Sequence, residues 1–432
     1  MAVKLGNGNW AVKEDKLLAY NDNSGKFFNK EFDFDRGSSA TYVAKEGLIK
    51  SAASDVPRID FSDSTSGALL LEPQRSNLIT YSEAFDNGYW IKNGLLTPTS
   101  GFLSPNGDLS AFKIVEDTSN AVHRIRISSL ASGAAASKEF TYSFFVKKSE
   151  VKWFLLKGVV NTQSLTVNVW FDLENGVIGT ESNGSGKIEN YGNDWYRCSI
   201  NIATNSSATS INVYGYLADD DNSESYQGDG TSGLYIYGAQ LEVGNASSYI
   251  PTQGSASTRV AETASGSGNS EVFNDSEGVL FANIAAFEET NSFEAISIND
   301  NTTSDRVFMG YYADDLLVAI IAGGVFKYNV NTPINVKQNN KILIKYKSND
   351  FALWLNGFEI NSSSGVNGGT TPSGLYQLSF NKGDGTDDFY GKTKEIGYYN
   401  TILTDLELET LTSYKSWTSM VNELNLNIIY NG

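Results

Sequence analysis

Glu31, Asp33 and Asp35 alternate through Glu31-Phe32-Asp33-Phe34-Asp35-Arg36, a spacing that sets three carboxylates on one face of an extended strand. Crowded carboxylates raise one another's pKa, and two held at different values can divide the acid and base roles of glycoside cleavage. The intervening Phe32 and Phe34 account for the same spacing without catalysis, as a strand with one face on a core and the other in water. A second oxygen-rich segment reads as a loop. There Asp219-Asp220-Asp221-Asn222 is followed by Tyr226-Gln227-Gly228-Asp229, so Asp219, Asp220, Asp221 and Asp229 are candidate ligands for Ca2+, which takes about six to eight oxygens. A solvated acidic loop at the end of a sheet explains the same residues. Lys382-Gly383-Asp384-Gly385-Thr386-Asp387-Asp388 is a weaker loop of the same kind.

Aromatic side chains offer a third chemistry, because an exposed Tyr or Trp ring can stack against the C–H face of a sugar. Trp90, Tyr214, Tyr216, Tyr311 and Tyr312 are the candidate glycan-stacking residues, set against the fact that aromatics carry much of a sandwich's core. Other chemistries are closed. His123 and Cys198 are alone in their types, so an internal disulfide, a four-Cys or three-His zinc site and a two-His metal motif are all impossible. Both are expected as ordinary packed side chains.

The elements that must position these residues are short strands. Phe140–Val146, Trp153–Leu156, Leu165–Phe171, Ser210–Tyr216 and Leu234–Tyr237 are apolar or alternating runs separated by Gly, Asn and Asp turns. The pattern resumes after a small, polar stretch near residue 265 with Gly278–Phe287, Arg306–Tyr311, Leu316–Ala322, Lys341–Tyr346 and Phe351–Leu355. Asn175-Gly176 and Asn356-Gly357 are hairpin-turn dipeptides. Thr404-Asp405-Leu406-Glu407 is a capping box that predicts one helix from Asp405 to about Trp417, with Leu403, Leu406, Leu408 and Leu411 as its apolar side. Residues 424–430 alternate as a final strand. The prediction is an all-β protein of two tandem antiparallel β-sandwiches of jelly-roll type, with an N-terminal extended segment and one short C-terminal helix. The expected division is an attachment segment at 1–70, a first sandwich at 71–262, a linker at 263–271, a second sandwich at 272–415 and a tail at 416–432.

Composition agrees with this architecture. Among 432 residues, 12% are aromatic and only 19% charged, against about 25% in average domains. Lys and Arg number 32 against 50 Asp and Glu, a net charge of −18, which argues against nucleic acid as a partner because phosphate affinity comes from basic side chains. Met1 to Gly8 shows no charged segment followed by an apolar run, so no signal peptide is expected, and no apolar run approaches the roughly 20 residues needed to span a bilayer.

Three stretches resemble bacteriophage virion proteins. They are Phe32–Thr41 with Gly47-Leu48-Ile49 and Val56–Phe61; Leu69–Leu78 with Tyr81-Ser82-Glu83 and Trp90; and Tyr237–Gly244 with Ser248–Thr252, which is similar to the closing strand of a carbohydrate-binding-module-like jelly roll. Gly278 to Tyr414 resembles a laminin-G-like or concanavalin-like lectin sandwich through Leu353–Gly357 and Lys394–Asn400. The resemblance implies a non-enzymatic head or tail fibre or decoration protein. Its expected partners are other virion proteins, a second or third copy of itself and a host-surface glycan, and its place is the virion. A glycan-cleaving enzyme and a purely architectural protein without ligand are the alternatives.

Overall fold

A computed structural model describes residues 3–6, 10–18, 20–21, 26–27, 32–287 and 291–414. Among these the protein is all-β apart from one helix, Asp405–Thr412, and no helix is long and apolar enough to cross a membrane. Glu31, the strand expected at 424–430 and the tail at 416–432 lie outside the described residues.

The described residues divide into two compact units, each a β-sandwich. One unit comprises Ser38–Ser51 and Gln74–Val260. Its front sheet runs, in spatial order, through Ile91–Asn93, His123–Leu130, Ile211–Ala218, Trp153–Val160, Leu165–Asp172 and Val177–Ser182. Its back sheet runs through Thr99–Phe102, Ala111–Val115, Gly233–Val243, Glu139–Lys148, Trp195–Ala203 and Gly186–Asn190. Neighbouring strands are antiparallel throughout, so alternate residues of each face one another across the sandwich. Ile125, Ile127, Val213, Phe154, Leu156, Val167, Val169 and Phe171 from the front sheet meet Phe140, Tyr142, Phe144, Ile200 and Leu241 from the back sheet in a single core. The back sheet is buried on both faces, because Phe145, Trp195, Tyr237 and Tyr249 form an apolar layer behind it with Ile49. On the front sheet's outer face Leu155, Trp170, Tyr216 and Ala218 are buried as well, while Arg126, Lys157 and Tyr214 stay partly exposed.

The other unit lies within Met1–Gly37, Ala52–Pro73 and Ala261–Gly432. One sheet orders Val325–Pro333, Asp315–Ala322, Arg306–Tyr312, Glu294–Asn299 and Gln377–Ser379. The opposing sheet contains Phe358–Ser363, Asp350–Leu355, Asn340–Lys347, Glu277–Ala286 and Gly391–Tyr399. Ile296, Ile298, Val307, Met309, Val318 and Ile320 pack against Leu280, Ile342, Ile344, Leu353 and Ile396 between them. Leu355 pairs with Phe358, leaving Asn356 and Gly357 as a two-residue turn with φ of 50° and 92°, as a right-twisted hairpin requires.

The observed division differs from the expected boundaries. Within 1–70, the hairpin Ala40–Val43 and Ile49–Ala52 belongs, up to Ser51, to the unit that contains Gln74–Val260, whereas Arg58–Asp60 and Ala68–Leu71 are strands of the other unit's sheet, Ala68–Leu71 pairing with Gly391–Tyr399. Thr263–Ser265, expected in a linker, pairs with Asp33–Asp35. The helix stops at Thr412, with Ser413 as C-cap, and its capping box is formed by Thr404 and Glu407. Leu408 is buried and Leu403 and Leu411 pack beside it, but Leu406 is 73% exposed. Two residues apart on a helix is a rotation of about 200°, so Leu406 cannot share a face with Leu408.

Candidate functional site

The outer face of the front sheet is built by the alternation that fills the core. With Ile125 and Ile127 inward, Arg124 and Arg126 point out; with Val213 and Leu217 inward, Tyr214 and Tyr216 point out; with Phe154 and Leu156 inward, Leu155 and Lys157 do. Strand register then lines up Arg126, Tyr214, Lys157 and Asn168 in one row across four strands, and Arg124, Tyr216, Leu155 and Trp170 in the next.

The second row is the floor. Leu155, Trp170, Tyr216 and Ala218 are buried, with Trp153 and Tyr214 half-buried against them. The Arg124 guanidinium lies 5.0 Å from the Tyr214 ring centre and 5.2 Å from that of Tyr216. Its Nη1 donates to the Tyr216 hydroxyl at 2.5 Å and its Nε to Asn93 Oδ1 at 3.3 Å. Burial pushes the Tyr216 phenol above its ordinary pKa, against the pull of Arg124. Lys157 Nζ donates to both oxygens of Glu224, at 2.9 and 2.8 Å. Trp170 Nε1 donates to the Ser223 carbonyl at 3.0 Å and holds the following loop at one end of the face. Two buried polar atoms here make no hydrogen bond, Arg126 Nε and Asn168 Oδ1. Aromatic surface, fixed donors and unspent polar atoms side by side suit a ring that carries hydroxyls.

Of the five aromatic candidates, Tyr214 and Tyr216 come together on this face, Tyr216 beneath Arg124 and Tyr214 reaching the surface. Trp90 and Tyr311 are core residues, 1% and 3% exposed. Trp90 packs on Phe85 and Phe144 and donates to the Tyr81 carbonyl, so no ring face is left for a sugar. Tyr311 sits inside the other unit against Phe389. Tyr312 is 44% exposed at the end of its strand.

The acidic candidates do not converge. Asp221 accepts from the Thr180 N–H and hydroxyl, Asp219 from the Ser223 hydroxyl, and Asp220 from the Asp221 N–H. Asp229 accepts from Thr231 and Ser232, which holds its carboxyl far below the usual carboxylate range. Among the described residues no three His, Cys, Asp or Glu side chains gather as a metal site. Asp33 and Asp35 are exposed, with Phe34 between them packed against the core. His123 is fully buried, its ring nitrogens opposite the carbonyls of Gly94 and Tyr226. Burial raises the Cys198 thiol well above its ordinary pKa. A recess of about 410 Å3 in the other unit is lined by Phe273, Asn274, Asp275, Leu375 and Asn400, and both Asp275 oxygens are taken by the N–H groups of Gly374 and Leu375.

Arg124, Arg126, Lys157 and Glu224 are the site residues missed from sequence. The alternation His123-Arg124-Ile125-Arg126-Ile127 carried the signal for the two arginines.

No protein-family model and no curated protein matches the sequence. Solved structures similar to it are lectin-type β-sandwich domains. CBM40 of the Ruminococcus gnavus IT-sialidase, bound to α2,3 sialyllactose, is 17% identical over 34% of this chain and 93% of its own, with a TM-score of 0.30. The heptameric SAP-like pentraxin from Limulus polyphemus is 14% identical over 33% and 71%, with a TM-score of 0.27. Domains LG4-5 of the mouse laminin α1 chain are 7% identical over 68% and 90%, with a TM-score of 0.25.

Proposed function

We propose that the protein binds glycan without cleaving it, through the outer face of the front sheet. The observation that carries this reading is Tyr214, a half-buried ring in a row with the polar side chains of Arg126, Lys157 and Asn168. The fuller proposal is a fibre or decoration protein of a phage particle, resting on the resemblance of residues 32–61, 69–90 and 237–252. Assembly as a dimer or trimer would turn weak single-site binding into avidity.

The test is a glycan array probed with the full chain and with Tyr214→Ala, each with and without Ca2+. Binding that falls at least about tenfold in the variant, at an unchanged melting temperature, supports the assignment. Absence of binding in both ionic conditions would leave a purely architectural protein. Dependence on Ca2+ would reopen the loop carrying Asp219, Asp220 and Asp221.

A further inference from the structure

Arg124 and Arg126 stand two residues apart on one face of a strand, about 7 Å between Cα atoms. Three buried guanidiniums elsewhere meet carboxylates, Arg36 and Arg58 reaching Glu262 and Arg197 lying 3.8 Å from Glu242, while the buried Arg306 donates to the Lys382 carbonyl. Arg124 spends its donors on Asn93 and Tyr216, and Arg126 donates through Nη1 to the Ser128 hydroxyl in its own strand, so neither has an ion pair. An uncompensated pair of like charges is unfavourable at this spacing. In a chain with a net charge of −18 it is also the exception to the prevailing sign.

Both arginines neighbour one residue, Tyr214. Arg124 lies over Tyr214, and Arg126 is its cross-strand neighbour. Arg126 Nε is buried and makes no hydrogen bond, so a ligand would meet this guanidinium at its outer nitrogens. On the far side of Tyr214 the charge of Lys157 is already met by Glu224. Unmet positive charge is thus confined to the Arg124–Arg126 edge, beside the ring on which a sugar would lie.

We infer that the ligand is an acidic saccharide, a sugar whose carboxylate is received by Arg124 and Arg126 while its ring lies against Tyr214. The inference rests on the glycan-binding reading of this face. Guanidinium forks match carboxylates in geometry, and charge-assisted hydrogen bonds are the stronger kind.

The experiment prints carboxylate-bearing glycans beside their carboxyl-reduced counterparts and probes both with the full chain at low and high salt. The expected result is a preference of about tenfold or more for the carboxylated member, weakening as salt rises. Arg126→Gln should abolish that preference, and it is the cleaner variant because Arg126 holds only Ser128, whereas Arg124 also braces Asn93 and Tyr216. Arg126→Lys, with its melting temperature checked, should keep part of the preference. Equal binding to both members overturns the inference and leaves glycan binding standing. Binding to neither overturns both.

Discussion

Asp388 carries the clearest pH dependence of any single side chain described. Burial raises its carboxyl to about 6, helped by Asp387 and opposed by Asn381, and its Oδ1 is buried without a hydrogen-bond partner. An acid whose folded pKa exceeds its unfolded value of about 3.9 holds more protons folded than unfolded between those limits. Its contribution to stability therefore falls as pH rises from about 4 to 6 and stays lower above. Asp388→Asn should raise stability at pH 7 by about 1–2 kcal/mol, a figure reduced for partial exposure, and leave it unchanged near pH 4. Melting curves across that range check it, and an equal effect at both ends would refute the burial argument. The residue scale is also where sequence reading separated poorly. Trp90 and Tyr214 are both aromatics in β-rich stretches, and only the neighbours brought by other strands make one core and the other surface.

The helix and the turns are the elements most legible in the chain, because local bonds define them. Thr404 Oγ1 accepts from the Glu407 N–H, while Glu407 Oε2 accepts from the Thr404 N–H at 2.8 Å, the reciprocal pair that the spacing Thr-x-x-Glu predicts. Thr404→Ala should cost about 1 kcal/mol, read as a lower denaturation midpoint with an unchanged slope. The front-sheet strands Trp153–Val160, Leu165–Asp172 and Ile211–Ala218 were legible for a related reason, since antiparallel sheets with one face in the core alternate. Leu406 was misread because an apolar residue at the wrong rotation looks the same in a list. The row of Arg126, Tyr214, Lys157 and Asn168 could not be read at all, because its members come from four strands and meet only through register.

At the scale of the molecule, Glu262 joins three separate parts of the sequence within one unit. Its Oε1 accepts from Arg36 at 2.7 Å and from Arg58 Nε at 3.0 Å, its Oε2 accepts from the Glu72 N–H at 2.8 Å and from Arg58 Nη2, and all four side chains are buried. Burial alone would lower the Arg58 pKa, but Glu72 and Glu262 together place it above the ordinary value. Glu262→Ala leaves Arg36 without its buried carboxylate and Arg58 with Glu72 alone, and should destabilise that unit by about 3 kcal/mol. Calorimetry should register a lower transition for it, and a thermogram superimposable on the parent would exclude the network as a structural tie.

The sequence by itself determined the fold class, many of the longer strands, the capped helix and the chemistry that one His and one Cys forbid, since alternation, turn dipeptides and counts are local properties. It also held the low charge and high aromatic content that suit a β-sandwich. Only the tertiary structure decided that Ala68–Leu71 pairs with a strand more than 300 residues later, that Phe145, Trp195, Tyr237 and Tyr249 cover the back sheet, and that Tyr214 has Arg124 over its ring and Arg126 as its cross-strand neighbour. Pairing across long separations is set by which faces can be buried together, and no stretch of chain contains that information alone.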